Sequence, residues 1–256
     1  MTVPVLVATE LTSNPDGPLL VLGPSLGTAS AVLWEPVLPA LAERYRVVAW
    51  DLPGHGASPA AAAPFTIEEL ADGVVAILDE LGVSNALYAG VSIGGATGLA
   101  LGIHHPGRFT KLAIVASAAK IGTPEAWVER AAMVRAQSTS PLVVPSAQRW
   151  FAPGIVEEQP VVAGRLLHNL QDADDESYAL ACEALRDFDV VDRLGEIEAP
   201  VLALYGDHDA TTPQASSEQI AAGVRDGRAA LIANSAHLPP ANQPAATARE
   251  LLAFLA

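Results

Sequence analysis

The chain has 256 residues, half of them hydrophobic and 17% charged, with 14 Lys and Arg against 29 Asp and Glu for a net charge of −15. That length suits one large domain with an insertion, and such acidity argues against nucleic acid or an anionic membrane surface as a partner. The lone Cys182 excludes an internal disulfide, suits a reducing cytoplasm and reads as a small buried apolar residue.

The first ten residues carry no basic flank and too short an apolar run for an export signal, which again points to a cytoplasmic protein. Short aliphatic runs at residues 3–7, 19–22, 47–50, 86–89 and 112–116 predict strands, and the amphipathic stretches between them predict helices. That alternation implies α/β architecture: a mostly parallel central sheet with helices on both faces. Thr66 and Glu69 form a capping-box pattern, and Ile67, Leu70, Val74, Leu78 and Leu81 then share one helix face that Gly82 ends. Residues 86–103 carry no charge and approach membrane-spanning length, but Gly90, Gly94, Gly95 and Gly98 mark them as buried core.

Between residues 121 and 194 the alternation fails and helical spacing takes over, as in Trp127, Arg130, Met133 and Val134. This predicts a helical lid over the carboxyl edge of the sheet, dividing the chain into a core of 1–120 with 195–256 and an insertion of 121–194. The acidic run from Asp172 to Glu176 lacks the spacing and turn glycine of a calcium loop and reads as a solvated helix start. No metal site is expected, and no dinucleotide fingerprint is present. The core then resumes with strands at 201–205 and 229–232 and a final helix at 245–255.

The chemistry concentrates at Gly90-Val91-Ser92-Ile93-Gly94-Gly95, which follows one strand and opens a helix. A serine on so sharp a turn adopts a strained backbone, and glycines are needed where a Cβ would clash. The turn lifts the Ser92 hydroxyl to the positive end of the following helix. A serine hydroxyl needs a base, and the base an acid to hold it. Asp207 and Asp209 follow the strand at 201–205, on the side where open α/β sheets build sites. His237 lies in the loop between the last strand and the last helix. His55, His104, His105 and His168 have structural readings, and His208 is a loop residue that could line the pocket. Two backbone amides should meet the developing oxyanion: Ile93, and Leu26 in the loop Gly23-Pro24-Ser25-Leu26-Gly27-Thr28. Ser25 is either a further polar donor or a turn cap.

Together, Trp50-Asp51-Leu52-Pro53-Gly54-His55-Gly56-Ala57-Ser58, the Ser92 turn, Gly206 to Pro213 and Ser235-Ala236-His237 resemble the α/β-hydrolase superfamily over nearly the whole chain. The resemblance implies the order Ser92, Asp209, His237, with Asp207 left to cap its loop. More narrowly, Leu26-Gly27-Thr28, Trp34-Glu35-Pro36, residues 119–127 and Arg149-Trp150-Phe151 look like the 3-oxoadipate enol-lactone hydrolases. Pro24-Ser25 stands where the superfamily carries His-Gly and where these lactonases carry asparagine and serine. The resemblance implies hydrolysis of a small lactone through an acyl-enzyme, with no metal or cofactor. It also implies a substrate carboxylate held by a lid cation: Arg130 first, with Lys120, Arg135 and Arg149 behind it. Trp127 and Trp150 would line the pocket. Another esterase or lactonase, a cofactor-free haloperoxidase, or a receptor on a hydrolase-like fold are the competing expectations.

Overall fold

A computed structural model describes residues 3–12, 14 and 16–256. The strands are β1 (Ala8–Glu10), β2 (Leu19–Gly23), β3 (Arg46–Trp50), β4 (Ala86–Val91), β5 (Phe109–Val115), β6 (Val201–Gly206) and β7 (Gly227–Ile232). They form a sheet of order β1-β3-β2-β4-β5-β6-β7, parallel throughout except for β1, which runs antiparallel to β3. The interior strands β2 and β4 are buried along their whole length, as expected of a sheet covered on both faces.

The helices are α1 (Ser30–Trp34), α2 (Leu38–Leu41), α3 (Ile67–Glu80), α4 (Ile93–His104), α5 (Pro124–Gln137), α6 (Val143–Trp150), α7 (Ile155–Glu158), α8 (Pro160–Asp172), α9 (Asp175–Asp187), α10 (Gln214–Gly223), α11 (Pro239–Asn242) and α12 (Pro244–Leu255). Thr66 begins α3 with both halves of its capping box formed, and Gly82 beyond its end has φ of +67°. Helices α5 to α9 all fall between β5 and β6. Among the described residues no helix is long and apolar enough to cross a membrane.

The strand expected at residues 3–7 is absent, and pairing starts at Ala8 against Trp50. Val3 and Val5 are exposed and Pro4 has no N–H to give a ladder, so the run forms no strand, and its Val7 carbonyl accepts from the Asp51 N–H at 3.3 Å just beyond β3. The run expected at 112–116 begins earlier, at Phe109, because ladder pairing carries the polar Thr110 and Lys111 along the strand. It stops before Ala116, whose φ of 44° turns the chain out of the sheet.

Candidate active site

The chain passes from β4 to α4 through Ser92, which sits at φ 56°, ψ −115°. Left-handed backbone of this kind costs a non-glycine residue about 1–3 kcal/mol. The surroundings enforce it. The Ser92 N–H donates to the Val115 carbonyl at 2.9 Å, the Ser92 carbonyl accepts from Ser117 Oγ at 2.7 Å, and the Gly94 N–H donates to the Pro24 carbonyl at 3.0 Å. A Cβ on Gly94 would lie 2.5 Å from that same Pro24 oxygen, so the β2 loop can close on the turn only over glycine.

Three residues far apart in sequence converge there. Ser92 Oγ is 2.9 Å from His237 Nε2, and His237 Nδ1 is 2.9 Å from Asp209 Oδ2. All three are about 95% buried, with 5%, 4% and 5% exposure for Ser92, His237 and Asp209. Asp209 is heavily anchored: its Oδ1 accepts from the Thr211 and Thr212 N–H groups at 2.8 and 3.1 Å, and its Oδ2 from Thr212 Oγ1 at 2.7 Å. Burial alone would push the Asp209 carboxyl up. The facing His237 and the bonds from His237 and Thr212 outweigh it and hold the carboxyl below its ordinary value. Asp207 instead accepts from the Ser235 N–H at 3.0 Å, which fastens the histidine loop.

A cavity opens directly above Ser92 and His237. Ser25, Leu26, Trp127, Arg130 and Trp150 line it, all of them expected there, together with Ile121, Ser146, Arg149, Tyr178 and Thr211. It is narrow, with about 30 Å³ of free space, room for one or two waters. Among the described residues the Ile93 and Leu26 N–H groups make no hydrogen bond, Ile93 directly follows Ser92, and Leu26 lines the same cavity.

The cations of the helical insertion sort themselves by partner. Lys120 pairs with Asp189 at 2.9 Å, and Arg135 with Glu176 and Glu183 at 2.7 and 2.6 Å, so neither of these two candidates faces the cavity. Arg130 and Arg149 both line it. Arg130 lies over the Trp127 ring, 5.1 Å from its centroid, and Arg149 Nη2 donates to Ser146 Oγ at 3.4 Å. Neither has a carboxylate partner among the described residues. Burial and the neighbouring Arg130 charge pull the Arg149 guanidinium below its ordinary value, although it remains a cation. In a chain of net charge −15, these two guanidinia concentrate positive charge in one cavity.

The remaining expectations have plain structural outcomes. His105 meets Asp72 at 2.8 Å, His104 meets Arg193 at 3.1 Å, His168 bonds the Gly164 carbonyl within its own helix, and His208 is half-exposed beside Asp207. His55 is buried, kept neutral with its value pulled down to about 4, and stacks on Tyr178 at 6.0 Å. Burial pushes the Cys182 thiol up to about 12. Asp174 caps α9 by accepting from the Ser177 N–H at 2.8 Å, and among the described residues no group of His, Cys, Asp or Glu could hold a metal ion. Tyr178, Ser117 and Thr212 escaped the sequence reading. Thr212 alone had a local signal, three residues after an aspartate in a turn.

Comparison with known proteins identifies the family. Residues 18–138 match the family model described as the alpha/beta hydrolase fold. The chain is 39% identical over 203 residues to 3-oxoadipate enol-lactonase 2 of Acinetobacter baylyi, covering 79% of this chain and 76% of that one. It is 33% identical over 238 residues to 3-oxoadipate enol-lactonase 1 of the same organism, covering 93% and 88%. The crystal structure of the enol-lactonase from Burkholderia xenovorans superposes with a TM-score of 0.93 at 32% identity, covering 98% of this chain and 96% of that one. With its sheet order, its strained serine turn and these relatives, the chain belongs to the α/β-hydrolase superfamily and, within it, to the family of the 3-oxoadipate enol-lactone hydrolases.

Proposed function

We propose that this chain hydrolyses a small lactone bearing a carboxylate, 3-oxoadipate enol-lactone, to 3-oxoadipate in the cytoplasm, by way of an acyl-enzyme on Ser92. The observation that carries the reading is the pair of guanidinia without a carboxylate partner among the described residues, Arg130 and Arg149, in the same cavity as the Ser92–His237 hydrogen bond. The names of the Acinetobacter and Burkholderia relatives support the choice of lactone.

Ser92 Oγ attacks the lactone carbonyl while His237 Nε2 takes its proton, and Asp209 holds the imidazole ring and stabilises its cationic form. The carbonyl oxygen becomes an oxyanion and receives the Ile93 and Leu26 N–H groups. Collapse breaks the ring C–O bond. The electron pair leaves on the enol oxygen as an enolate, which takes the proton held by His237 and tautomerises to the ketone, so the imidazole is neutral again. Water, deprotonated by His237, then attacks the acyl carbon, and as the acyl–Oγ bond breaks His237 returns that proton to Ser92 Oγ and a second carboxylate is released. An enolate leaves easily, so positioning and oxyanion stabilisation carry most of the barrier reduction.

Residues 121–194 act as the lid. Trp127 and Trp150 wall the cavity from its side, next to Ser92 and His237. The deciding experiment follows the ultraviolet absorbance of 3-oxoadipate enol-lactone with wild type and Ser92→Ala. Turnover by the wild type and its loss in the variant are expected; an inert wild type that still cleaves aryl esters would remove the lactone and keep the hydrolase.

A further inference from the structure

Asn242, the last residue of α11, is 1% exposed and spends its whole hydrogen-bonding capacity on two segments. Toward the histidine loop, its Oδ1 accepts from the Ala236 N–H at 3.1 Å and its Nδ2 donates to the Leu238 carbonyl at 2.8 Å. Toward the chain leaving α6, Oδ1 accepts from the Ala152 N–H at 2.8 Å and Nδ2 donates to the Trp150 carbonyl at 2.9 Å. The amide thus grips the residues on either side of His237 with one pair of bonds. With the other it grips the segment that begins at Arg149 and Trp150, the cavity wall. Main-chain bonds run beside it, from the His237 N–H to the Arg149 carbonyl and from the Leu238 N–H to the Trp150 carbonyl, both at 3.3 Å. These are near the long limit of a hydrogen bond, so the shorter Asn242 bonds carry most of the join.

We propose that Asn242 is a positioning residue that makes the His237 loop and the Arg149-Trp150 wall one mechanical unit. Movement of the wall and presentation of the imidazole to Ser92 then occur together. A buried amide with every donor and acceptor satisfied has a single low-energy arrangement, because displacing either segment orphans two bonds at once. The inference rests on Ser92 and His237 being the reacting pair of the proposed function, but not on the identity of the lactone.

The test uses two aryl esters, neutral 4-nitrophenyl acetate and the carboxylate-bearing 4-nitrophenyl hydrogen glutarate, with wild type and Asn242→Leu, which keeps the volume and removes all four bonds. A histidine displaced by a fraction of an ångström is expected to lower kcat on the acetate by about tenfold to a hundredfold. A displaced Arg149 is expected to raise KM for the glutarate by about tenfold. A lower Tm with both constants within twofold of wild type would reduce Asn242 to a structural residue and overturn the proposal. So would a change in only one of the two constants. Should Asn242→Leu fail to fold, native-state hydrogen exchange on the wild type decides: peptides covering 149–153 and 235–239 are expected to open at one rate with one urea dependence, and separate openings overturn the coupling. Wild type that cleaves both aryl esters but not the lactone removes only the substrate assignment. Ester turnover surviving in Ser92→Ala removes the foundation of both readings.

Discussion

Ser117 Oγ donates to the Ser92 carbonyl at 2.7 Å, and the residue between Ser117 and β5, Ala116, is at φ 44° while Ser92 is at φ 56°. Two strained turns at the ends of neighbouring strands are therefore pinned to each other. Replacing Ser117 by Ala removes one of the two bonds that the buried Ser92 carbonyl accepts, the one from the Ala96 N–H at 2.9 Å remaining, a loss of about 0.5–1.5 kcal/mol. The expected outcome is a fall in Tm together with a fall of about threefold to tenfold in kcat/KM, because the Ser92 N–H bond to Val115 still restrains the turn. An unchanged kcat/KM in a destabilised variant would show that the pin serves folding alone.

Ser92 itself carries stored strain. Glycine reaches φ 56° freely, so Ser92→Gly relieves a cost of about 1–3 kcal/mol while removing the nucleophile. Part of that gain is offset by the greater freedom of glycine in the unfolded chain. Urea unfolding is expected to find Ser92→Gly more stable than Ser92→Ala by about 1 kcal/mol, with both variants inactive toward esters. Equal stability would mean that the surrounding contacts, and not the serine backbone, set the energy of the turn.

Much of this arrangement was legible in the residues themselves. The strand ends bearing Ser92 and Asp209 and the loop bearing His237 follow from apolar runs broken by glycine and proline, because buried parallel strands allow little else. The choice among lid cations was not legible. Arg135 looks as available as Arg130 until α9 brings Glu176 and Glu183 against it, and Lys120 until Asp189 arrives from the end of the insertion. Asn242, Ser117 and Tyr178 were invisible for the same reason. Each acts through partners distant in sequence, such as Ala152, 90 residues from Asn242, and no local pattern marks such contacts. Residues 3–7 differ for another reason: a β-rich composition that leaves Val3 and Val5 exposed and includes a proline does not make a strand.

The two cavity arginines give a selective effect. A guanidinium bond to a carboxylate is worth about 1.5–3 kcal/mol, so Arg130→Ala is expected to raise KM for a carboxylate-bearing lactone by about tenfold to a hundredfold. A neutral aryl ester should hardly respond. Lys120→Ala, whose ion pair with Asp189 is half-exposed and outside the cavity, should leave both substrates unaffected. Equal losses on the charged and neutral substrates in Arg130→Ala would assign Arg130 to shaping the lid over Trp127 instead of holding an anion.

The anchoring of Asp209 predicts a pH dependence with a definite sign. Its carboxyl is held below the ordinary value, in spite of burial, by His237 and Thr212. A carboxylate depressed in the folded state adds stability that is complete above its unfolded value of about 3.9 and is lost as pH falls through the lower folded value. Asp209→Asn lacks this contribution. The stability gap between wild type and Asp209→Asn, measured by urea unfolding, should therefore be constant at pH 7 and 6 and narrow progressively below about pH 4. Activity of the variant at pH 7 should fall by three to four orders of magnitude, about the loss expected when an imidazole loses the carboxylate that fixes its tautomer. A gap that persists unchanged into acid would mean that Asp209 is held by shape and neutral hydrogen bonds, and that its charge is not what steadies His237.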